Sequence, residues 1–285
     1  MNPPASRLLP VVLLAGVAAL SASTAQPDPT NTEVRAIIDR ALERAAWAGE
    51  QAFEARYRHA MAQRTRKFDN QGEVEEDEKR FYSVEPVRGV PYARLVSKNG
   101  GPIEGDDLRT ERERWRDFLE ALDKDPDEDE DEEDENVVFN DEQLDRYTAR
   151  LDGIRDLRGR PSYVVLFEPK PGKLPVRRQI DRALNRSRGE LWIDQATYEI
   201  ARVNFALIGR VRLWWGILGS ISDVTGHFER EPITEDVWLP TEVDIYYHAR
   251  VLFSTTRRSD TTHWSDFELV AESIPHSPDR TPSGG

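Results

Sequence analysis

The sequence predicts a mainly β fold with α-helices, in which one strongly bent antiparallel sheet carries helices on its concave face. Segments with apolar residues at every second position outnumber helical segments. The predicted strands follow one another as hairpins, without the strand–helix–strand units of a parallel sheet. An open, twisted sheet of about ten or eleven strands tends to curl. We therefore expect the amphipathic helices to cover its hollow side.

Residues 1–25 are interpreted as a secretory signal peptide. Arg7 precedes an apolar run, Leu8–Leu20, that is too short for an anchored membrane span. Small residues at Ser23 and Ala25 suit a cleavage point after Ala25, and an uncleaved anchor is the alternative. The chain has no cysteine, which excludes disulfides and a lipid-modified cysteine and favours a bacterial periplasm after secretion across the inner membrane.

Residues 26–272 are predicted to form one domain, followed by a disordered Pro/Ser/Gly-rich tail at 273–285. Much of the net charge of −14 comes from an acidic insertion, Asp125–Glu135, which holds ten carboxylates and no basic residue. The lack of clustered Lys and Arg argues against a nucleic-acid partner. A calcium loop is the alternative for the insertion, but Glu130 stands where an EF-hand needs glycine and Asn136 where it needs a bidentate Glu. We interpret the insertion as a solvated loop.

Deleting residues 125–135 should shift the melting temperature by no more than a few degrees, because nothing in the run can be buried and surface changes alter stability by about 0.5 kcal/mol. Thermal unfolding of the deletion and the full chain checks this, and a collapse of expression would contradict it.

The first half of the chain alternates helix and strand periods. Thr32–Phe53 is a predicted helix with an apolar stripe along Val34, Ile37, Ile38, Leu42, Ala45 and Ala46. Three strands follow, at Tyr57–Lys67, Glu76–Val84 and Tyr92–Ser97. A second helix, Asp106–Leu122, has Leu108, Trp115, Phe118, Leu119 and Leu122 on one face.

The second half is almost entirely strand, interrupted by a short helix predicted at Val176–Asn185. Its predicted strands are Arg146–Ile154, Ser162–Glu168, Glu190–Asp194, Tyr198–Leu207, Gly216–Arg230, Val237–Phe253 and Thr262–Leu269. Asp194 can accept hydrogen bonds from the turn that follows it. We expect the Glu190–Asp194/Tyr198–Leu207 hairpin near the middle of the sheet. Alternation puts Ala201, Val203, Phe205 and Leu207 on its concave face, opposite Tyr198, Ile200, Arg202 and Asn204.

Four stretches of the chain resemble the LolA/LolB-like lipoprotein carriers and outer membrane lipoprotein-sorting proteins, which have MucB-type regulators as relatives. They are "GELWIDQATYEIARV" (189–203), "GILGSI" (216–221), "VWLPTEVDI" (237–245) and "RGVPYARLVSKNGGPI" (88–103). The resemblance implies an incomplete β-barrel whose apolar concave face holds a lipoprotein acyl chain. This chain is longer than the carriers and has the acidic insertion, and the carriers' cavity arginine has no assigned counterpart here.

The ligand is expected to lie against the concave face and the Trp-rich segment 210–221. Glycines at 216 and 219 break that segment and indicate bends, and tandem Trp beside Arg210 and Arg212 suits an apolar–wet boundary. The alternative is that both Trp residues fill the core. The predicted ligand-binding residues are Val203, Phe205, Leu207, Leu213, Trp214, Trp215, Leu218 and Ile221.

No catalytic signature is present: the sequence has no nucleophile elbow, P-loop or zinc motif. Its five histidines share no metal-binding spacing. We predict a non-enzymatic, monomeric chaperone-like carrier for a lipid or lipoprotein acyl chain, with no metal or cofactor and with a membrane or envelope protein as a further partner. The alternative is a sensor module of the same fold that binds a protein and carries no lipid.

Overall fold

The computed structural model describes residues 29–123, 144–178, 180–213, 219–251 and 254–270. The predicted signal peptide, the acidic insertion and the predicted tail lie outside them. The helices are α1 (Pro29–Glu50), α2 (Gly105–Leu122) and α3 (Asp181–Leu184), and a 3₁₀ turn spans Phe53–Arg56. The strands are β1 (Tyr57–Phe68), β2 (Val74–Val87), β3 (Val90–Lys98), β4 (Gly101–Pro102), β5 (Tyr147–Leu157), β6 (Arg160–Pro169), β7 (Ser187–Asp194), β8 (Ile200–Leu207), β9 (Val211–Leu213), β10 (Gly219–Pro232), β11 (Trp238–Val251) and β12 (Ser254–Leu269).

All twelve strands belong to one antiparallel sheet that does not close into a barrel. Its order is β4-β3-β2-β1-β12-β11-β10-β8-β7-β6-β5, and β9 pairs with the start of β10. The predicted fold class is confirmed. The β7–β8 hairpin is antiparallel as expected, but it lies toward the β5 end of the sheet and not near its middle, because β12 pairs with β1 and thereby adds the first four strands beyond β11.

Helix α1 covers β6, β7 and β8. Its Val34, Ile37, Ile38 and Ala41 are at most 6% exposed and form one core. The sheet side of that core consists of Val165, Leu191, Ile193, Ile200 and Val203. The predicted stripe is largely confirmed, although Leu42 and Ala46 are only half-buried. The helix ends at Glu50, before Ala52, whose φ of 46° is left-handed and stops the helical path.

Helix α2 covers the other end of the sheet. Its Trp115 and Phe118 pack against Tyr92 of β3, with ring centroids 4.8 and 4.7 Å away. The Tyr92 hydroxyl donates to the buried Glu111 carboxylate at 2.6 Å. Burial, and to a lesser extent the hydrogen bond to Glu111 and its negative charge, raises the pKa of Tyr92 well above its usual value. The predicted apolar face of α2 thus also contains a buried carboxylate.

A bulge in the β7–β8 hairpin changes the predicted faces of three residues, and Tyr198 is one of them, because it packs against the core beneath α1. Trp192 pairs with Arg202, but Ile193 pairs with Ile200, which leaves Ala201 as the extra residue. Ile200 therefore joins the core beneath α1, and Ala201 packs with Trp192 on the other face. From Arg202 onward the predicted alternation holds.

Candidate functional site

The candidate site is a cavity of about 610 Å³ beside β9. Its wall combines three apolar side chains with five basic ones. The apolar residues are Leu174, Val176 and Val211, and the basic residues are Lys170, Arg182, Arg186, Arg210 and Arg212. Gly172 and Asn185 complete the lining. Such a wall can hold a ligand that is partly apolar and partly anionic.

One wall of the cavity is the segment between β6 and α3. Asp181, 1% exposed, holds this segment because its Oδ2 accepts the backbone N–H groups of Arg177 and Arg178 at 2.7 and 2.9 Å. Its Oδ1 lies 3.1 Å from an Arg146 nitrogen. Burial would raise the pKa of Asp181, but these hydrogen bonds and the Arg146 charge lower it below its usual value. The carboxylate is therefore ionised at neutral pH and its charge is already balanced.

The opposite wall is the turn from β8 into β9. The Ile208 N–H donates to the Arg186 carbonyl at 2.7 Å, and the Arg186 guanidinium donates to the Arg210 carbonyl. Strand β9 then pairs with β10, with Val211 opposite Ile221 and Leu213 opposite Gly219. Leu213 and Gly219 are thus paired backbone positions beside Val211 and Arg212, which line the cavity.

The predicted ligand-binding residues fall in two places. Val203 is 8% exposed and lies in the core beneath α1, and half-buried Phe205 packs against that core, with its ring over Gly226. Leu207 pairs with Ser187, the residue after Arg186, and Leu213 and Ile221 belong to the β9–β10 pair beside the cavity. Trp214, Trp215 and Leu218 lie outside the described residues.

The cavity lies beside one part of the predicted ligand site and away from the other, because Arg210, Val211 and Arg212 of the Trp-rich segment line it and Val203 does not. Side chains of α1 fill the space over Val203, whereas the cavity of about 610 Å³ lies past the end of β8. A second cavity, of about 390 Å³, has Phe205 in its wall. The basic residues of the larger cavity come from three separate segments of the chain, so the sequence did not indicate that they lie together. Only Arg210 and Arg212, beside the tandem Trp, were noticeable.

A second group of polar side chains lies on the sheet face opposite α1. Glu229, 4% exposed, contacts the guanidinium groups of Arg158 and Arg202 and lies 3.6 Å from His227. His227, Glu229 and Glu242 offer ligand atoms within 4.8 Å of one another, a convergence produced by strand pairing and not by sequence spacing. A metal ion there would have to displace two arginines from Glu229, so we interpret this group as a structural charge cluster.

A third polar group joins α1 to the sheet. Glu199, 1% exposed, follows the β7–β8 turn, and its two carboxylate oxygens accept from Arg44 of α1 at 2.8 Å and from Arg230 of β10 at 2.6 Å. Beside it the Asp194 carboxylate accepts hydrogen bonds from Nε and Nη2 of Arg160 at 2.7 and 2.9 Å and from the Thr197 N–H at 2.9 Å. The predicted turn hydrogen bonds of Asp194 are present. The three ion pairs that Glu199 and Asp194 form were not predicted from the sequence.

No protein-family model and no curated protein matches the sequence. Solved structures similar to this chain include a LolA superfamily protein from Nitrosomonas europaea, 14% identical over 84% of this chain and 94% of that chain, with a TM-score of 0.30. A putative outer membrane lipoprotein-sorting protein domain from Vibrio parahaemolyticus is 12% identical over 78% and 91%, also at 0.30. A chain of the Pseudomonas aeruginosa MucA/MucB complex is 12% identical over 84% of this chain and 99% of that chain, with a TM-score of 0.22.

These structures carry the names of the groups that the four sequence stretches resemble. Their TM-scores of 0.22 to 0.30 are too low to support a function for this chain. Its function has to be inferred from its own residues. No helix in the described part of the chain is long and apolar enough to cross a membrane.

Proposed function

We propose that this protein is a periplasmic carrier that holds a lipid or the acyl chain of a lipoprotein. The observation that supports it is the cavity of about 610 Å³ beside β9, which is within the size range of small-molecule sites. Leu174, Val176 and Val211 give it an apolar surface. The predicted ligand-binding residues Leu213 and Ile221 lie in the strand pair that borders it.

A non-enzymatic role agrees with the state of the buried carboxylates. A catalytic acid with a raised pKa needs an apolar pocket. Among the described residues, each of the five carboxylates that are at most 4% exposed has an arginine partner instead. These pairs are Glu111–Arg114, Asp181–Arg146, Asp194–Arg160, Glu199–Arg44 and Glu229–Arg202.

The second candidate function is a sensor or interaction module that binds a protein of the membrane or envelope. It is favoured by the packing of α1, whose side chains fill the sheet face over Val203, where the ligand was expected. Native mass spectrometry of the protein after periplasmic expression separates the two functions: a co-purifying lipid supports the carrier, and a lipid-free protein supports the module.

Replacing Trp214 and Trp215 by alanine should weaken the binding of a fluorescent fatty acid about tenfold or more, because aromatic contacts with the ligand would be lost. The free energy of unfolding should change little. Fluorescence titration and urea unfolding of the same samples measure the two effects. Trp115→Ala in α2 is the control and should leave binding unchanged, because Trp115 packs on Tyr92 of β3 and does not line the cavity. If the double variant loses about 3–5 kcal/mol of stability, and that loss accounts for the weaker binding, the two residues belong to the core.

A further inference from the structure

The five basic side chains of the cavity have no acidic partners in the described part of the chain. None of Lys170, Arg182, Arg186, Arg210 and Arg212 forms an ion pair there. This is unusual for a protein with 53 acidic and 39 basic residues. Most arginines near buried acids are paired, as with Arg160, Arg202 and Arg230. Positive charge in the cavity is therefore available to a ligand.

Arg182 is the most informative of the five. It is half-buried in α3, and its Nε is buried without a hydrogen-bond partner. The neighbouring carboxylate, Asp181, is already engaged by Arg146 and by two backbone N–H groups. A buried donor of a charged group that lacks an acceptor costs stability. An anion in the cavity would meet the part of the Arg182 side chain that lines it and not the buried Nε.

The apolar wall indicates what the anion is attached to. Val211 is 2% exposed and Val176 is 46% exposed, so the apolar surface open to a ligand comes mainly from Val176 and the half-buried Leu174. A guanidinium group matches the geometry of phosphate and carboxylate groups. We propose that this cavity binds the anionic headgroup of an amphiphile, with the cations on the headgroup and the apolar chain along Leu174, Val176 and Val211, an inference that rests on the proposed carrier function.

Isothermal titration of the full mature chain with three probes tests this inference. The probes are dodecyl phosphate and dodecyl maltoside, both below their micellar concentrations, and inorganic phosphate. Dodecyl phosphate should bind at least tenfold more tightly than dodecyl maltoside, and more tightly than inorganic phosphate. Arg182→Gln combined with Arg186→Gln should lower the affinity for dodecyl phosphate about tenfold or more, because charge-assisted hydrogen bonds are lost. The same variant should leave dodecyl maltoside binding unchanged.

Two further variants keep this result interpretable. Arg210→Gln combined with Arg212→Gln removes two exposed cavity cations without changing α3. This variant should also lower the affinity for dodecyl phosphate about tenfold or more, and it replaces the first variant if that one does not fold. Arg109→Gln combined with Arg116→Gln removes two exposed cations from α2, which are 66% and 63% exposed. This matched control should bind all three probes like the unmodified chain.

The outcomes separate the inference from the carrier function. Equal affinity for dodecyl phosphate and dodecyl maltoside, insensitive to both cavity variants, would overturn the inference and leave the carrier function standing. Binding of inorganic phosphate as tightly as dodecyl phosphate, still sensitive to the variants, would support an anion site and argue against the carrier. No binding of dodecyl phosphate at all would overturn the headgroup site.

Discussion

Replacing Glu199 by alanine should lower the free energy of unfolding by about 3–5 kcal/mol, the usual cost of removing one partner from a buried ion pair. Its carboxylate is 1% exposed and receives both Arg44 and Arg230. Without it, two largely buried guanidinium groups would face each other. The substitution also removes the only carboxylate between α1 and the sheet among the ion pairs of the described residues.

Urea unfolding followed by circular dichroism measures this effect. The matched control is Asp39→Ala, which removes an ion pair of α1 with Arg35 at 2.7 Å whose side chains are 47% and 45% exposed. An exposed pair of this kind contributes less than about 1 kcal/mol. Similar losses for Glu199→Ala and Asp39→Ala would show that the buried pair does not hold α1 on the sheet.

Replacing Val203 by aspartate should lower the free energy of unfolding by several kcal/mol, because an unpaired carboxylate would lie between α1 and the sheet. Val203 is 8% exposed and packs in the core that contains Ile37 and Leu191. Thr225→Asp, at an exposed position of β10, is the control and should cost about 0.5 kcal/mol. A Val203→Asp protein as stable as this control would mean that Val203 does not belong to a closed core.

The neighbouring Arg202 gives the second arm of the same experiment. Sequence alternation puts Arg202 on the wetter face of the sheet, where a substitution by aspartate is expected to change the free energy of unfolding only slightly. The structure revises this expectation, because Arg202 contacts Glu229, which is 4% exposed. Arg202→Asp would place two carboxylates together, so we expect a loss of roughly 2–3 kcal/mol, reduced by the remaining Arg158 contact. A change below about 0.5 kcal/mol would restore the original expectation.

The strands were predictable because their two-residue period extends over long stretches. The main predicted elements occur in the predicted order, although β12 begins at Ser254 and not at Thr262 and the short strands β4 and β9 were not predicted, and the α1 stripe identifies the core over Val203. The bulge was not predictable, because Ile200 and Ala201 are both apolar and either can face inward. The short helix was predicted at Val176–Asn185, but only Asp181–Leu184 is helical. The segment before α3 bonds to the Asp181 carboxylate instead.

The candidate site was much less predictable than the fold. Apolar residues of β8 were expected to meet the ligand, yet α1 covers Val203, since a helix stripe and a sheet face of matching size pack together. The cavity cations come from positions 170 to 212 and meet only through the β6–β7–β8 pairing. In the same way, Glu199 has no local partner in the sequence, and both of its arginines come from distant elements.

The pairing of β1 with β12 constrains the order in which the chain can fold. These strands lie side by side in the sheet although they are far apart in the sequence, as with the paired Thr65 and Asp260, which are 195 positions apart. Until residues 254–269 are available, β1–β4 and β5–β11 are two separate sheets, each with an unpaired edge. Strand pairing over so long a loop is slow, because closing the loop costs entropy before any contact is gained. We therefore expect β12 to pair with β1 and β11 late in folding. Until it does, the edges of β1 and β11 are open to aggregation or to binding by a chaperone.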